Sequence, residues 1–157
     1  MSENLKTILS AIAMERSSDR AAKRSKSHEY ANHFAEALQK RSGINILEEG
    51  NASTNYFCAE VDGAQVAISP LASHEGWWEK PSVGFVRMYK RRGCKWGVVL
   101  LELRKSYVDG FWIEGPDFES FFGHHTKIHS DNIERAERKG VAHRFRDFEK
   151  FLELVSR

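Results

Sequence analysis

The sequence predicts an α/β (α+β) domain in which five strands are interleaved with helices. Three observations carry this. Apolar residues near both ends recur with the helical period, as in Leu5, Ile8, Leu9, Ile12 and in Phe148, Phe151, Leu152, Val155. Asp62-Gly63 separates two short apolar runs, and that dipeptide is a strong hairpin signal because a type I′ turn needs positive φ twice. Trp96 to Leu103 is a nearly continuous apolar run of strand length, the pattern of a strand buried on both faces.

Taken in order, residues 3–15 read as an amphipathic N-terminal helix. A second helix runs from about 20 to 41, with Ser17-Ser18-Asp19 as its cap, Tyr30, Phe34, Ala37 and Leu38 as its stripe, and Gly43 at the C′ position. Ile44–Leu47, Tyr56–Val61 and Ala64–Ile68 are strands. Ser73–Glu79 reads as a loop anchored by Trp77-Trp78. Val83, Val86 and Tyr89 suit a helix ending near Gly93. Strands follow at Trp96–Leu103 and Tyr107–Ile113. Gly115-Pro116-Asp117 starts a short helix through Phe118, Phe121 and Phe122, closed by Gly123. Asp131 with Glu134 resembles a capping box opening a helix that stops at Gly140, and a last helix ends the chain. We expect one domain over 1–157, with 1–18 as a helical extension and 20–157 as the core.

At 157 residues the chain is long enough to bury a proper core. No apolar run reaches membrane-spanning length, and no apolar signal segment opens the chain, so a cytoplasmic protein is expected. Cys58 and Cys94 lack metal-ligand spacing and read as reduced thiols. Net charge is only +2 but unevenly spread. No Lys or Arg lies between Arg41 and Lys80, where Glu48, Glu49, Glu60, Asp62, Glu75 and Glu79 are found. Basic stretches flank that segment: Arg16, Arg20, Lys23, Arg24 and Lys26 before it, and Lys80, Arg87, Lys90, Arg91, Arg92 and Lys95 after it. Such stretches are either solvated helix faces or a surface that tracks phosphates.

Other constellations are weaker. Glu29, His33 and Glu36 share a helix face at i, i+4, i+7 and are metal-ligand candidates, although a polar face gives the same pattern. His124, His125 and His129 follow a glycine, without the cysteine or carboxylate that would complete a zinc site. Glu60 and Asp62 share a hairpin, where Asp62 is more simply the turn residue. Glu102 is unusual inside an apolar strand, and pairing with an arginine or a place at the strand's solvent end would explain it. Trp77-Trp78 reads as a core plug or as a stacking platform for bases.

From about Arg24 to Val155 the chain resembles the RecU-type Holliday-junction resolvases of the PD-(D/E)XK nuclease superfamily. The stretches that carry this are Arg24-Ser-Lys-Ser-His-Glu29, Ser53-Thr54-Asn55-Tyr56, Gly97-Val-Val-Leu-Leu-Glu-Leu103 and Phe111-Trp-Ile-Glu-Gly-Pro-Asp-Phe-Glu-Ser-Phe-Phe122, with the tail from Lys127 through Asp131, Gly140 and Phe151. The resemblance implies a restriction-endonuclease-like fold, a mixed sheet of about five strands with helices on both sides. It also implies DNA as partner, Mg²⁺ as the usual cofactor and a homodimer as the usual assembly. The family's metal set is an Asp on one hairpin strand and Glu-x-Lys on the other. The matching positions here are Asn55, Ser69 and Leu71, and only Glu29 survives. An amide, a hydroxyl and an aliphatic chain do not hold Mg²⁺ as two carboxylates do. Glu60 lies five residues from Asn55, roughly 16 Å along a strand, too far to serve the same ion.

The expected function is therefore nucleic-acid binding on a nuclease-like fold whose standard metal site is lost, in recombination, repair or phage–host DNA processing. Arg24, Lys26, Arg87, Lys90, Arg91, Arg92 and Lys95 would contact phosphates. One alternative is an active Mg²⁺ endonuclease with a site migrated to Glu29, Glu48, Glu49 and Glu60. Another is a protein-interaction module or an inhibitor of a nuclease partner.

Overall fold

The structure, a computed structural model, describes Leu5, residues 26–50 with side chains from 33 onward, and residues 56–157. The N-terminal helix lies outside the described residues apart from Leu5, which is helical and fully buried. The caps at 17–19 also lie outside them.

The elements are α1 (Lys26–Ser42), β1 (Asn45–Glu49), β2 (Phe57–Val61), β3 (Ala64–Ser73), β4 (Trp77–Glu79), α2 (Val83–Arg92), β5 (Lys95–Leu103), β6 (Val108–Glu114), α3 (Gly115–Phe122), β7 (Lys127–His129), α4 (Ser130–Arg138), β8 (His143–Phe145) and α5 (Phe148–Val155). Six strands form one mixed sheet in the order β1-β2-β3-β5-β6-β8, and β4 and β7 form a separate ribbon. Only the β3–β5 pair is parallel. A parallel pair needs a crossover, which β4 and α2 supply.

The hairpin forms where Asp62-Gly63 places it, with φ of 51° and 80° and Val61 paired to Ala64. Gly43 and Gly93 close α1 and α2 in the left-handed region. The main departures are three short strands. Trp77–Glu79 is not loop but β4, held by antiparallel pairing to β7, and β8 forms the far edge of the main sheet. Each has three residues, too few for a period to show in sequence. Helix α4 is capped by a reciprocal His129–Asn132 box rather than by Asp131 and Glu134.

Strand alternation divides the core into two layers. One face of the sheet carries Phe57, Ala59, Val66, Ile68, Val99, Leu101 and Trp112 against α1 and α5. Phe34 sits at its centre, edge-on to Phe151 and Phe148 at 5.3 and 5.4 Å between centroids. The other face carries Cys58, Ala67, Leu71, Val98, Leu100 and Phe111 against α2, α3 and α4. Among the described residues no helix is long and apolar enough to cross a membrane.

Candidate nucleic-acid interface

The positions matched to the nuclease motif do not converge on an open site. Asn55 lies outside the described residues, and so does the side chain of Glu29. Ser69 is 1 % exposed, and Leu71 packs in the cluster shared with Trp78 and Phe85. Both point to the face covered by α2, α3 and α4, whereas α1, which carries Glu29, packs on the opposite face.

The acids proposed for a migrated site are likewise apart or engaged. Glu48 accepts hydrogen bonds from Arg92 Nη1 at 2.9 Å and Tyr89 Oη at 3.4 Å. Its neighbour Glu49 alternates to the other face, and Glu60 is exposed at the far end of β2, opposite Asn45. His33 and Glu36 lie 3.8 Å apart, and Glu36 also pairs with Lys40 at 3.2 Å. Among the described residues no group of three or more His, Cys, Asp or Glu side chains is placed to hold a metal ion. The histidines of the 124–129 segment diverge. His129 caps α4, His125 stacks edge-on to Phe122 at 5.6 Å, and His124 faces solvent.

Trp78 is a core plug, 2 % exposed, whose indole N–H donates to the Leu101 carbonyl. Half-buried Trp77 is covered by the Lys127 ammonium 4.2 Å from its ring centroid. Cys58 and Cys94 are free thiols, and burial pushes the Cys58 thiol up to about 11, with the neighbouring Cys94 as second cause.

The basic residues separate into three groups. Arg24 lies outside the described residues, and of Lys26 only the helical backbone is described. Lys95 turns away from α2: its ammonium donates to the Val155 and Arg157 carbonyls and lies 3.4 Å from Glu114. It therefore neutralises the C-terminal end of α5, as expected of a cation beside free helix carbonyls. That leaves α2. There Lys90 pairs with Glu119 of α3 and Arg92 with Glu48 of β1, each at 2.9 Å. Arg92 also lies over the Tyr89 ring, and its bond to Glu48 strengthens its hold on its proton.

Arg87 and Arg91 make no ion pair or hydrogen bond with a described residue, and both are exposed. One helical turn apart, they stand on the same side of α2. The helix is oriented by Phe85 and Tyr89, buried at i and i+4 against Trp96 and Tyr56, which forces the i+2 and i+6 positions outward. Beside them lies an open groove of about 470 Å³, lined among the described residues by Gly84, Arg87, Met88, Arg91 and Arg92, all on one face of α2. Unopposed guanidiniums beside a groove are chemically suited to phosphate oxygens, which they engage with paired N–H donors.

One polar cluster was only half visible in the sequence. Ser73, Glu102 and Asp109 stand in register across β3, β5 and β6, on one face and all buried. Glu102 pairs with Arg104 and accepts from Ser130 Oγ at 3.4 Å. Asp109 accepts from Arg146 Nε at 2.7 Å and lies 3.5 Å from Arg144, which is itself held bidentately by Glu137. Bonding to Glu137 raises the proton affinity of Arg144 further. Each buried carboxylate thus has its cation, so this is a structural network. Pairing with an arginine is the reading that Glu102 invited. Asp109 carried a weaker signal, an acid at an inward position of a shorter strand.

In comparisons with known proteins, the chain matches no family model, no curated protein and no solved structure.

Proposed function

We propose that the chain is a nucleic-acid-binding protein of nuclease-like fold, without the standard metal site, that holds phosphates on the outer face of α2. The observation that carries this reading is the pair Arg87 and Arg91, exposed and without ion partners among the described residues, beside a groove on a helix whose other cations are engaged. Two features support it. The mixed sheet with helices packed on both faces agrees with the architecture that the resolvase resemblance implies. Ser69 is buried and the partly buried Leu71 packs in an apolar cluster, so the matched positions offer no carboxylate to a metal ion.

The test is fluorescence anisotropy with labelled duplex, four-way junction and single-stranded DNA, at low and near-physiological salt. Binding is expected to weaken steeply with salt. Replacing both Arg87 and Arg91 by Ala should weaken it and flatten the duplex log–log salt slope by about 1.8, since each phosphate contact contributes about 0.9. Lys95→Ala should leave affinity unchanged, because that ammonium is committed to the end of α5. An unchanged slope in the double variant would remove α2 as the interface. No binding to any DNA at low salt would overturn the proposal itself.

A further inference from the structure

Gly84 is a glycine that the fold does not require. It lies in the first turn of α2 with no positive φ, and a Cβ built on it would meet only Ser82 Oγ, at an ordinary 3.5 Å. Alanine would fit there and would favour the helix, since glycine in a helix costs conformational entropy. What a side chain at 84 would change is the groove, of which Gly84 lines one part.

The groove lining is also of mixed character. Arg87 and Arg91 line it, but Gly84 and the partly buried Met88 bring apolar surface. Val83, at the start of α2, is 63 % exposed, one of two large apolar side chains left exposed among the described residues. Arg92 forms a fixed wall, its guanidinium held by Glu48 and lying 5.2 Å from the Tyr89 ring centroid. A duplex keeps its base faces stacked inside and offers phosphates to such a surface, leaving the apolar strip without a counterpart. A single strand offers both phosphates and free base faces, which settle on apolar surface and guanidinium planes.

Resting on the proposed nucleic-acid function, we infer that the α2 groove takes single-stranded nucleic acid. Arg87 and Arg91 hold consecutive phosphates. An unstacked base lies on the Gly84–Met88 floor beside the Arg92 guanidinium.

The experiment is anisotropy on the full chain with three labelled probes of equal length at low salt: an oligothymidine strand, an abasic strand with the same phosphates, and a duplex. The oligothymidine should bind at least about fivefold tighter than the abasic strand, the lower end of what one stacked base contributes. It should also bind tighter than the duplex. Gly84→Leu, which fills the groove from an exposed position, should abolish that preference without lowering the melting temperature or changing the salt slope. Equal binding of abasic and thymidine strands, or tighter binding of duplex, would overturn the inference while leaving the proposed function standing. No binding of any of these probes would overturn the inference, and failure of the four-way junction as well would overturn the proposed function.

Discussion

Gly97 and Trp112 offer a sharp test of how the central strands are built. Gly97 lies in β5 on the face covered by α1 and α5, and a Cβ there would fall 2.2 Å from Trp112 Cη2 and 2.6 Å from Cζ2 and Cζ3. Carbon atoms rest at about 3.5–4.0 Å, so the indole would have to retreat by more than an ångström. It has little room, being fully buried and edge-on to Phe151 at 5.8 Å. Gly97→Ala should therefore cost about 3 kcal/mol, the upper part of the usual overpacking range. In a chain of this length that corresponds to a fall in Tm of roughly 6–12 °C. The clashing atoms all belong to the six-membered ring of the indole, so Trp112→Phe removes them along with an indole N–H that has no partner. The double variant should then be less destabilised than the sum of the singles by at least about 1 kcal/mol. Urea unfolding followed by far-ultraviolet circular dichroism measures each value. Gly97→Ala within about 0.5 kcal/mol of the parent, or strict additivity in the double variant, would refute the assigned packing.

Two further outcomes follow from the buried polar groups. Asp109→Asn keeps the shape of the side chain but removes the charge that holds Arg146 and Arg144, both of which can rehydrate at the surface. A loss of about 1–3 kcal/mol is expected in urea unfolding, below that for breaking a pair with no exposed partner; no change would show the network to be dispensable. The thiol of Cys58 is pushed up from 9.0 to about 11 by burial, so the folded state holds that proton more tightly than the unfolded chain does. The corresponding stability is complete below about pH 9 and is lost as pH rises through about 11. Cys58→Ser should flatten the decline. At neutral pH a thiol reagent should modify partly exposed Cys94 quickly and buried Cys58 only on unfolding, and equal rates would contradict the burial.

Legibility in the sequence followed the strength of the local signal. Asp62-Gly63 fixed the hairpin register because positive φ at two successive residues restricts the turn so strongly. The apolar run from Trp96 gave the central strand, and Gly43, Gly93 and Gly123 marked three helix ends. What escaped was set by tertiary context. Strands β4, β7 and β8 exist through their pairing partners, since three residues have no preference strong enough to act alone. Val83, Val86 and Tyr89 suited the helix that forms, but its buried pair is Phe85 and Tyr89, and Val83 is exposed. The basic run at 87–95 was visible as a run, but sequence spacing does not reveal pairing. Lys90, Arg92 and Lys95 have partners on α3, β1 and α5, far away in sequence, so the fold reduces a five-residue cluster to two arginines unopposed among the described residues.

The same reasoning applies to the positions matched to the nuclease motif, where two or three substitutions would not be enough to build a metal site. A glutamate at position 69 would stand where Ser69 is 1 % exposed, under Trp78 and α2, and a lysine at 71 would displace a side chain packed in the same cluster. An unpaired charge at such depth costs several kcal/mol, and a divalent ion compensates for that only if solvent and substrate also reach it. Over β3 that access is closed by the β4–β7 ribbon, whose Trp77 amide donates to Ser73 Oγ and whose Trp78 indole is tied to Leu101. The hairpin thus serves as core, and on the proposed nucleic-acid reading the phosphate contacts fall outside it, on α2. Helix α2 is short, anchored from below by two aromatic rings, and turned so that Arg87, Arg91 and Gly84 face outward together.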